Sequence, residues 1–438
     1  MTKKPREIAF EILCKIEADK AYSNIAIDSA VKMYNPDSTD CAFISRLVYG
    51  VIERKITLDY IINKYLSQPI TKLKTPVLTA LRIGAYQILF MDKIPERAAV
   101  NEMVNLIKKG KFSYASGLVN AVLRKISDNN QLDFSTLSGD ELTSVQYSVP
   151  EELVKFLTHH YGKENAEEFF KHSLLPKKIF VRVNNTKIST DELIKFFKNE
   201  GVIAYKTYLP NAVEIAFNGA VYNLESYKKG YFHVEDLSSQ LCIEALDVFS
   251  GCTAIDVCAA PGGKTFTIAE KMNNNGTVIS CDIYAQRTDL IKKGAERLGL
   301  SCIKPAVNDA TVLNEGFPKA DRVLCDVPCS GLGIITKKPE IKYKKLDDAK
   351  SLLPIQKEIL NTSSKYVKSG GKLVYSTCSI NPNENRKICD AFLKENPDFS
   401  SIRALPDIER TVEEGDYLTL FPHKNNCDGF FVAVFVRK

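Results

Sequence analysis

The sequence predicts a three-part chain of mixed class: an all-α bundle, then a small α+β unit, then a doubly wound α/β domain built on a parallel sheet. Three observations predict this. Over residues 1–130 apolar side chains recur at helical spacing. Over 145–230 a helical stretch gives way to short strand-like runs around one further helix. Over 231–438 short apolar runs alternate with helical stretches, the pattern of strands buried on both faces.

In the first part Ile8, Ala9, Ile12, Leu13 and Ile16 form one helical stripe, and Leu47, Val48, Val51 and Ile52 another. Leu58, Ile61 and Ile62 continue it. Leu81, Ile83, Tyr86, Leu89 and Phe90 follow, ended near Pro95. Val100, Val104 and Ile107, then Leu118, Val119, Val122 and Leu123, complete the bundle, and the polar stretch over 127–138 is its exit linker. Leu153, Phe156 and Leu157 line the next helix. IFVRV (179–183), VIAYK (202–206) and AVEIAF (212–217) predict strands around a helix over 190–201, capped by Thr190 and stopped by Gly201. In the third part TAIDV (253–257), TVISC (277–281), RVLCD (322–326), KLVYS (372–376) and FFVAVFV (430–436) predict strands.

The 438 residues carry 59 Lys+Arg against 53 Asp+Glu, a mildly basic balance that suits a polyanionic partner without requiring one. No stretch approaches the ~18 consecutive apolar residues of a membrane span. The charged opening MTKKPREIAF runs into no apolar signal segment, so a cytoplasmic protein with no membrane partner is expected. Its twelve cysteines are then expected to be reduced. Cys325 and Cys329 have no second pair, so no metal is expected either. A monomer is expected.

The first strand of the α/β domain runs into DVCAAPGGKT (256–265), where small residues and two glycines let backbone approach a ligand. The GGKT tail is similar to the end of a phosphate-binding loop, but that motif needs glycine where Cys258 stands, and Pro261 stiffens the turn. The next strand ends in Asp282, placed to accept from ribose hydroxyls, with Arg287 shortly beyond; Asp282 also suits a helix N-cap. The third strand leads to Asp309, whose carboxylate suits an adenine amino group and equally suits an ordinary loop. The fourth ends in Asp326-Val327-Pro328-Cys329-Ser330-Gly331 and the fifth in Ser376-Thr377-Cys378-Ser379. All these strand ends share one rim in this topology.

Two thiols and a carboxylate beside a bound methyl donor suit methylation of carbon 5 of cytosine. That carbon is a poor nucleophile until a thiolate adds to carbon 6, and covalent catalysis divides the hard step. A carboxyl at Asp326 would stabilise charge at ring nitrogen 3 and the exocyclic amine. Cys14, Cys242, Cys281 and Cys325 lie in apolar runs and are expected to be buried and inert. No Asp-Pro-Pro-Tyr follows the fourth strand, which disfavours methylation of an adenine amine.

These residues resemble the Nop/Sun family of RNA 5-methylcytosine methyltransferases. DVCAAPGGKT, Asp282, Asp309, DVPCSGLG (326–333), YSTCS (375–379), PNEN (382–385) and DGFF (428–431) carry the resemblance over nearly the whole chain. It implies a Rossmann-like domain using S-adenosylmethionine, held by Cys258, Ala259, Ala260, Pro261, Gly262, Gly263, Lys264, Asp282, Arg287, Asp309 and Asp326. It implies Cys378 as nucleophile and Cys329 in product release. RIGAYQILFMDKIPERAAVNEMVNLIKK (82–109) and GLVNAVLRKI (117–126) resemble a NusB-like RNA-binding bundle. That fusion implies a cytosine of 16S ribosomal RNA as substrate, with another RNA such as tRNA, or a non-catalytic ribosome-assembly role, as alternatives.

Basic residues cluster at Lys108, Lys109 and Lys111, at Lys177, Lys178 and Arg182, and at Lys337, Lys338, Lys342, Lys344 and Lys345. Any one cluster could be a solvated face. The last, interleaved with Tyr343 and following Cys329, is the favoured phosphate contact, through Lys337, Lys338 and Lys342. The family often carries two basic residues here. Lysine in place of arginine weakens a bidentate clamp.

Overall fold

The computed structural model describes residues 3–19, 23–217, 219–412 and 414–438. They divide into two units. One takes the chain through Leu174 together with Ile335–Lys344, and the other takes Leu175–Ile334 with Lys345–Lys438.

The first unit is helical: α1 (Pro5–Asp19), α2 (Ser23–Tyr34), α3 (Ser38–Glu53), α4 (Lys55–Lys64), α5 (Thr75–Phe90), α6 (Glu96–Lys109), α7 (Ser116–Asp128), α8 (Gly139–Tyr147), α9 (Glu151–Tyr161) and α10 (Lys163–His172). The apolar stripes of the sequence bury together: Ile8, Ile12, Leu47, Val51, Leu58, Leu81, Ile83 and Leu123 share one core. Helix α5 is buried along most of its length, Arg82 included. A cation there must be paired. The Arg82 guanidinium meets both oxygens of Asp59 at 2.7 Å and Glu17 Oε1 at 3.0 Å.

The unit boundary departs from the expected one. Residues 145–174 group with the bundle, because α8 hydrogen-bonds to the start of α4: Thr57 Oγ1 donates to Val145 O at 2.6 Å. The segment Ile335–Lys344 also belongs to this unit. There Lys342 Nζ donates to Glu53 O at 2.8 Å and Tyr343 OH to Ile52 O at 2.7 Å.

The second unit opens with β1 (Ile179–Val183), α11 (Thr190–Asn199), β2 (Ile203–Lys206), β3 (Ala212–Ala216), α12 (Glu225–Lys228) and β4 (Phe232–Val234). Its strands pair antiparallel in the order β2-β3-β1-β4. The N-cap of α11 is Ser189, one residue before the expected Thr190, because Ser189 and Glu192 make a reciprocal capping box.

The α/β part comprises α13 (Leu237–Leu246), β5 (Thr253–Asp256), α14 (Gly263–Lys271), β6 (Thr277–Asp282), α15 (Ala285–Leu298), β7 (Ile303–Val307), β8 (Ala320–Asp326), α16 (Leu353–Ser364), β9 (Val367–Thr377), α17 (Arg386–Glu395), β10 (Phe399–Ile402), β11 (Leu418–Leu420), α18 (Pro422–Asn425) and β12 (Phe430–Arg437). Among the described residues the sheet runs β10-β12-β9-β8-β5-β6-β7, with β11 beside β12. Strands β9, β8, β5, β6 and β7 are parallel, as expected. Strand β12 enters antiparallel against β9, so the sheet is mixed. Strand β5 sits between β6 and β8, so chain order reverses there. Such a switch point opens a crevice at the carboxyl ends of the strands.

Candidate active site

The crevice beyond β5 is lined by the turn Cys258–Pro261, Gly263 and Lys264, with Glu235, Asp236, Asp256 and Asp326 around it, and encloses about 240 Å³. Gly262 has φ +118°, where a side chain is strained, and a Cβ on it would stand 2.4 Å from the Phe266 ring. This glycine lets the chain turn straight into α14. Asp256 is buried, and its Oδ2 accepts from Thr265 Oγ1 at 2.7 Å. Burial pushes its carboxyl up to about 7. The same effect holds the Cys258 thiol well above its ordinary value.

The acidic strand ends differ in setting. Asp282 is buried, and its Oδ1 accepts from Tyr284 N at 3.1 Å. Arg287 lies 3.2 Å from Asp282 Oδ2 and donates to Ala260 O at 2.9 Å, so it braces the turn against the neighbouring strand. Asp309 is exposed, and its Oδ1 accepts from Thr311 N at 2.9 Å.

Strands β8 and β9 pair in register, Asp326 opposite Ser376, which brings their two loops side by side. The Cys329 and Cys378 sulfurs lie 3.2 Å apart, beyond the ~2.05 Å of a disulfide, and both are free thiols. The hydrogen bond with Cys378 is the largest influence pushing the Cys329 thiol well above its ordinary value, and burial adds to it. Cys329 therefore holds its proton. Asp326 is gripped at both oxygens: Ser376 Oγ donates to Oδ1 at 2.8 Å, and Lys264 Nζ from the glycine turn lies 2.8 Å from Oδ2. Burial works against the charge on Lys264, but Asp326 outweighs it and raises the pKa of the ammonium.

A fully buried carboxylate, Glu384, organises both cysteine loops, and the sequence offered only its place in PNEN. It accepts from Ser330 N at 2.7 Å, Ser330 Oγ at 2.5 Å, Ser379 Oγ at 2.7 Å and Gln356 Nε2 at 3.1 Å. Its neighbour Asn385 accepts from Thr377 Oγ1 at 2.7 Å and donates to Ser379 O at 2.8 Å. Gly333 lies against Gly429: a Cβ on Gly333 would stand 1.8 Å from Gly429 O. Gly333 N also donates to Cys378 O at 3.0 Å. The close approach explains the glycines of both short motifs.

The other cysteines separate as expected with one exception. Burial raises Cys242, Cys281 and Cys325 each to about 12, while Cys14 is only half-buried. The expected basic face changes more. Lys342 is 2% exposed, and burial pulls its ammonium down to about 7, so it is no solvent-facing phosphate contact. Lys337 and Lys338 are half-buried in the helical unit. Arg182 is buried against Glu270, 3.5 Å away.

The model of the 16S rRNA methyltransferase RsmB/F family matches residues 244–436, and that of the NusB family matches residues 3–128. The chain is 37% identical to the probable ribosomal RNA small subunit methyltransferase B of Bacillus subtilis, over 99% of this chain and 98% of that protein. It is 31% identical to ribosomal RNA small subunit methyltransferase B of Klebsiella pneumoniae, over 97% and 95%. Among solved structures, PH0851 superposes with a TM-score of 0.82 at 25% identity, covering 100% of both chains. NSun6 from Pyrococcus horikoshii, solved with SFG, shares the fold at a TM-score of 0.60 and 22% identity, over 66% of this chain and 98% of that one. Among the described residues no helix is long and apolar enough to cross a membrane.

Proposed function

Because the chain belongs to the 16S rRNA methyltransferase family RsmB/F and carries a NusB-family domain ahead of its catalytic part, we propose that it methylates carbon 5 of a cytosine in 16S ribosomal RNA, from S-adenosylmethionine, through a covalent bond to Cys378. The observation that carries this reading is the 3.2 Å approach of the Cys329 and Cys378 sulfurs, at the strand ends flanking Asp326.

When bound, S-adenosylmethionine supplies an electrophilic methyl group. The residues present fit it. A glycine turn leads into α14, carboxylates stand at the next two strand ends, and two buried carboxylate oxygens at the crevice, Glu235 Oε1 and Asp256 Oδ1, have no hydrogen-bond partner. The turn 258–264 with Asp282 and Asp309 would hold the group, Arg287 bracing the turn.

The Cys378 thiolate adds its electron pair to carbon 6 of the base, and carbon 5 becomes enamine-like. Asp326, fixed by Ser376 and Lys264, steadies the charge that develops at nitrogen 3 and the exocyclic amine. Carbon 5 would then take the methyl group as the methyl–sulfur bond of the donor breaks, with S-adenosylhomocysteine as the leaving group. Once its sulfur is bonded to carbon, Cys378 no longer makes the hydrogen bond that is the largest influence keeping the proton on Cys329. Cys329 can then release its own proton to solvent and, as thiolate, accept the carbon 5 proton. The electrons of that C–H bond re-form the ring double bond as the Cys378–carbon 6 bond breaks. The target base must be unstacked to enter.

Lys337 and Lys338 are proposed as backbone contacts to the RNA, without sequence readout. The reading is tested by bisulfite sequencing of 16S RNA from a strain lacking this gene. One cytosine should lose its protection and regain it on complementation. Unchanged protection at every cytosine would overturn the proposal.

A further inference from the structure

The crevice contains an acidic group that neither the glycine motif nor the strand-end pattern explains. Glu235 lies between β4 and α13, and its side chain is 3% exposed. Its backbone is pinned, since Glu235 N donates to Phe180 O at 3.0 Å and its carbonyl accepts from Gln240 Nε2 at 3.0 Å. One carboxylate oxygen is also held. Oε2 accepts from Thr267 Oγ1 and lies 3.4 Å from His233 Nε2. The other, Oε1, has no partner and is turned to the cofactor loop, where a Cβ on Gly263 would stand 3.4 Å from it.

A buried acceptor without a donor is costly, and a carboxylate oxygen most of all. Residue 263 has no side chain, so the approach to Oε1 from the crevice stays open. The lysine of the crevice, Lys264, is engaged with Asp326 at 2.8 Å, and His233 faces the other carboxylate oxygen, Oε2, at 3.4 Å. The crevice thus offers an acceptor whose natural complement is a small cationic donor brought by a ligand.

We infer that Glu235 receives the α-ammonium group of the methionine end of the cofactor, fixing that end against the glycine turn. The inference rests on the proposed use of S-adenosylmethionine. Thr267 and His233 then serve as positioning residues, aiming the carboxylate from behind. A charge-assisted bond of this kind, shielded from water, is worth roughly 10- to 100-fold in affinity.

The test is calorimetric binding to the full-length protein of two ligands: S-adenosylhomocysteine, and its analogue lacking only the α-amino group. The unaltered protein should prefer the amino ligand by at least about tenfold. Glu235→Gln should weaken the amino ligand by a similar factor and leave the deamino ligand within about twofold, removing the preference. Thr267→Val should reduce the preference partway, which keeps the inference testable if Glu235→Gln does not fold. Equal losses for both ligands, or an intact preference in either variant, would overturn the inference and leave the cofactor reading standing. Failure of the unaltered protein to bind either ligand would overturn the cofactor reading itself.

Discussion

The hydroxyl of Ser330, next in the chain to Cys329, lies 3.0 Å from the hydroxyl of Ser379, next to Cys378, and Glu384 Oε2 accepts from both. The two sulfurs are therefore aligned from beneath by one buried carboxylate. Its removal leaves a backbone N–H and two hydroxyls without their acceptor. Glu384→Ala should lower single-turnover methylation by about 100-fold, the scale of a 1 Å misplacement of reacting groups. Glu384→Gln, which keeps two acceptor sites on one oxygen, should lose less. Equal rates in Glu384→Ala and the unaltered protein would show that the loops align without it.

Lys342 and its neighbours separate burial from RNA contact. Its folded pKa is depressed to about 7, so the stability it contributes is present above 10.5 and is lost as pH falls through 7. Lys342→Met should remove that dependence, a slope of up to about 1.4 kcal/mol per pH unit, seen in unfolding midpoints between pH 7 and 10. The same variant should leave the salt dependence of RNA binding unchanged. Lys337→Ala with Lys338→Ala should make the slope of log affinity against log salt shallower by about one to two.

His233 is buried between Glu235 and Glu270, 3.4 and 3.3 Å away. Burial works against its charge, but the two carboxylates outweigh it and raise the imidazole to about 9. A folded pKa above the unfolded one contributes stability that is fully present below pH 6.5 and fades as pH rises through 9. His233→Gln should therefore destabilise most at pH 6, on the order of 3 kcal/mol, and least above pH 9. A pH-independent difference in unfolding midpoint between the two proteins would contradict this.

Gly262 tests the turn itself. Gly262→Ala places a Cβ against the Phe266 ring at φ +118° and should cost about 1–3 kcal/mol of stability or displace the turn. In either case binding of S-adenosylhomocysteine should weaken. Unchanged affinity and unchanged unfolding would mean the turn tolerates the side chain.

Much of this site was legible in the sequence because strand ends are. Asp256, Asp282, Asp326 and Cys378 each follow a short apolar run, and parallel topology carries such positions to one rim. Glu384 was not legible. Its role comes from accepting three hydrogen bonds across two loops and a fourth from α16, and residues 54 positions apart in the chain carry no periodic signal of meeting. Lys342 misled for a related reason. A run of lysines reads as a charged face, yet its long apolar stem lets one ammonium be buried against a backbone carbonyl. The antiparallel entry of β12 was equally hidden, since an apolar run shows burial and not direction. Residues 145–174 join the bundle through bonds such as Thr57 Oγ1 to Val145 O and Ile56 N to Ser148 Oγ, between residues whose own stretches look merely helical.

Division of labour between the two thiols is the central claim, and trapping the enzyme on its RNA tests it most directly. Unmethylated 16S RNA and S-adenosylmethionine are incubated with Cys329→Ala or Cys378→Ala, and the mixture is run on a denaturing gel. The account predicts a slow-migrating protein–RNA species with Cys329→Ala, and with Cys378→Ala neither that species nor methyl transfer. Accumulation of the species with Cys378→Ala instead would contradict it.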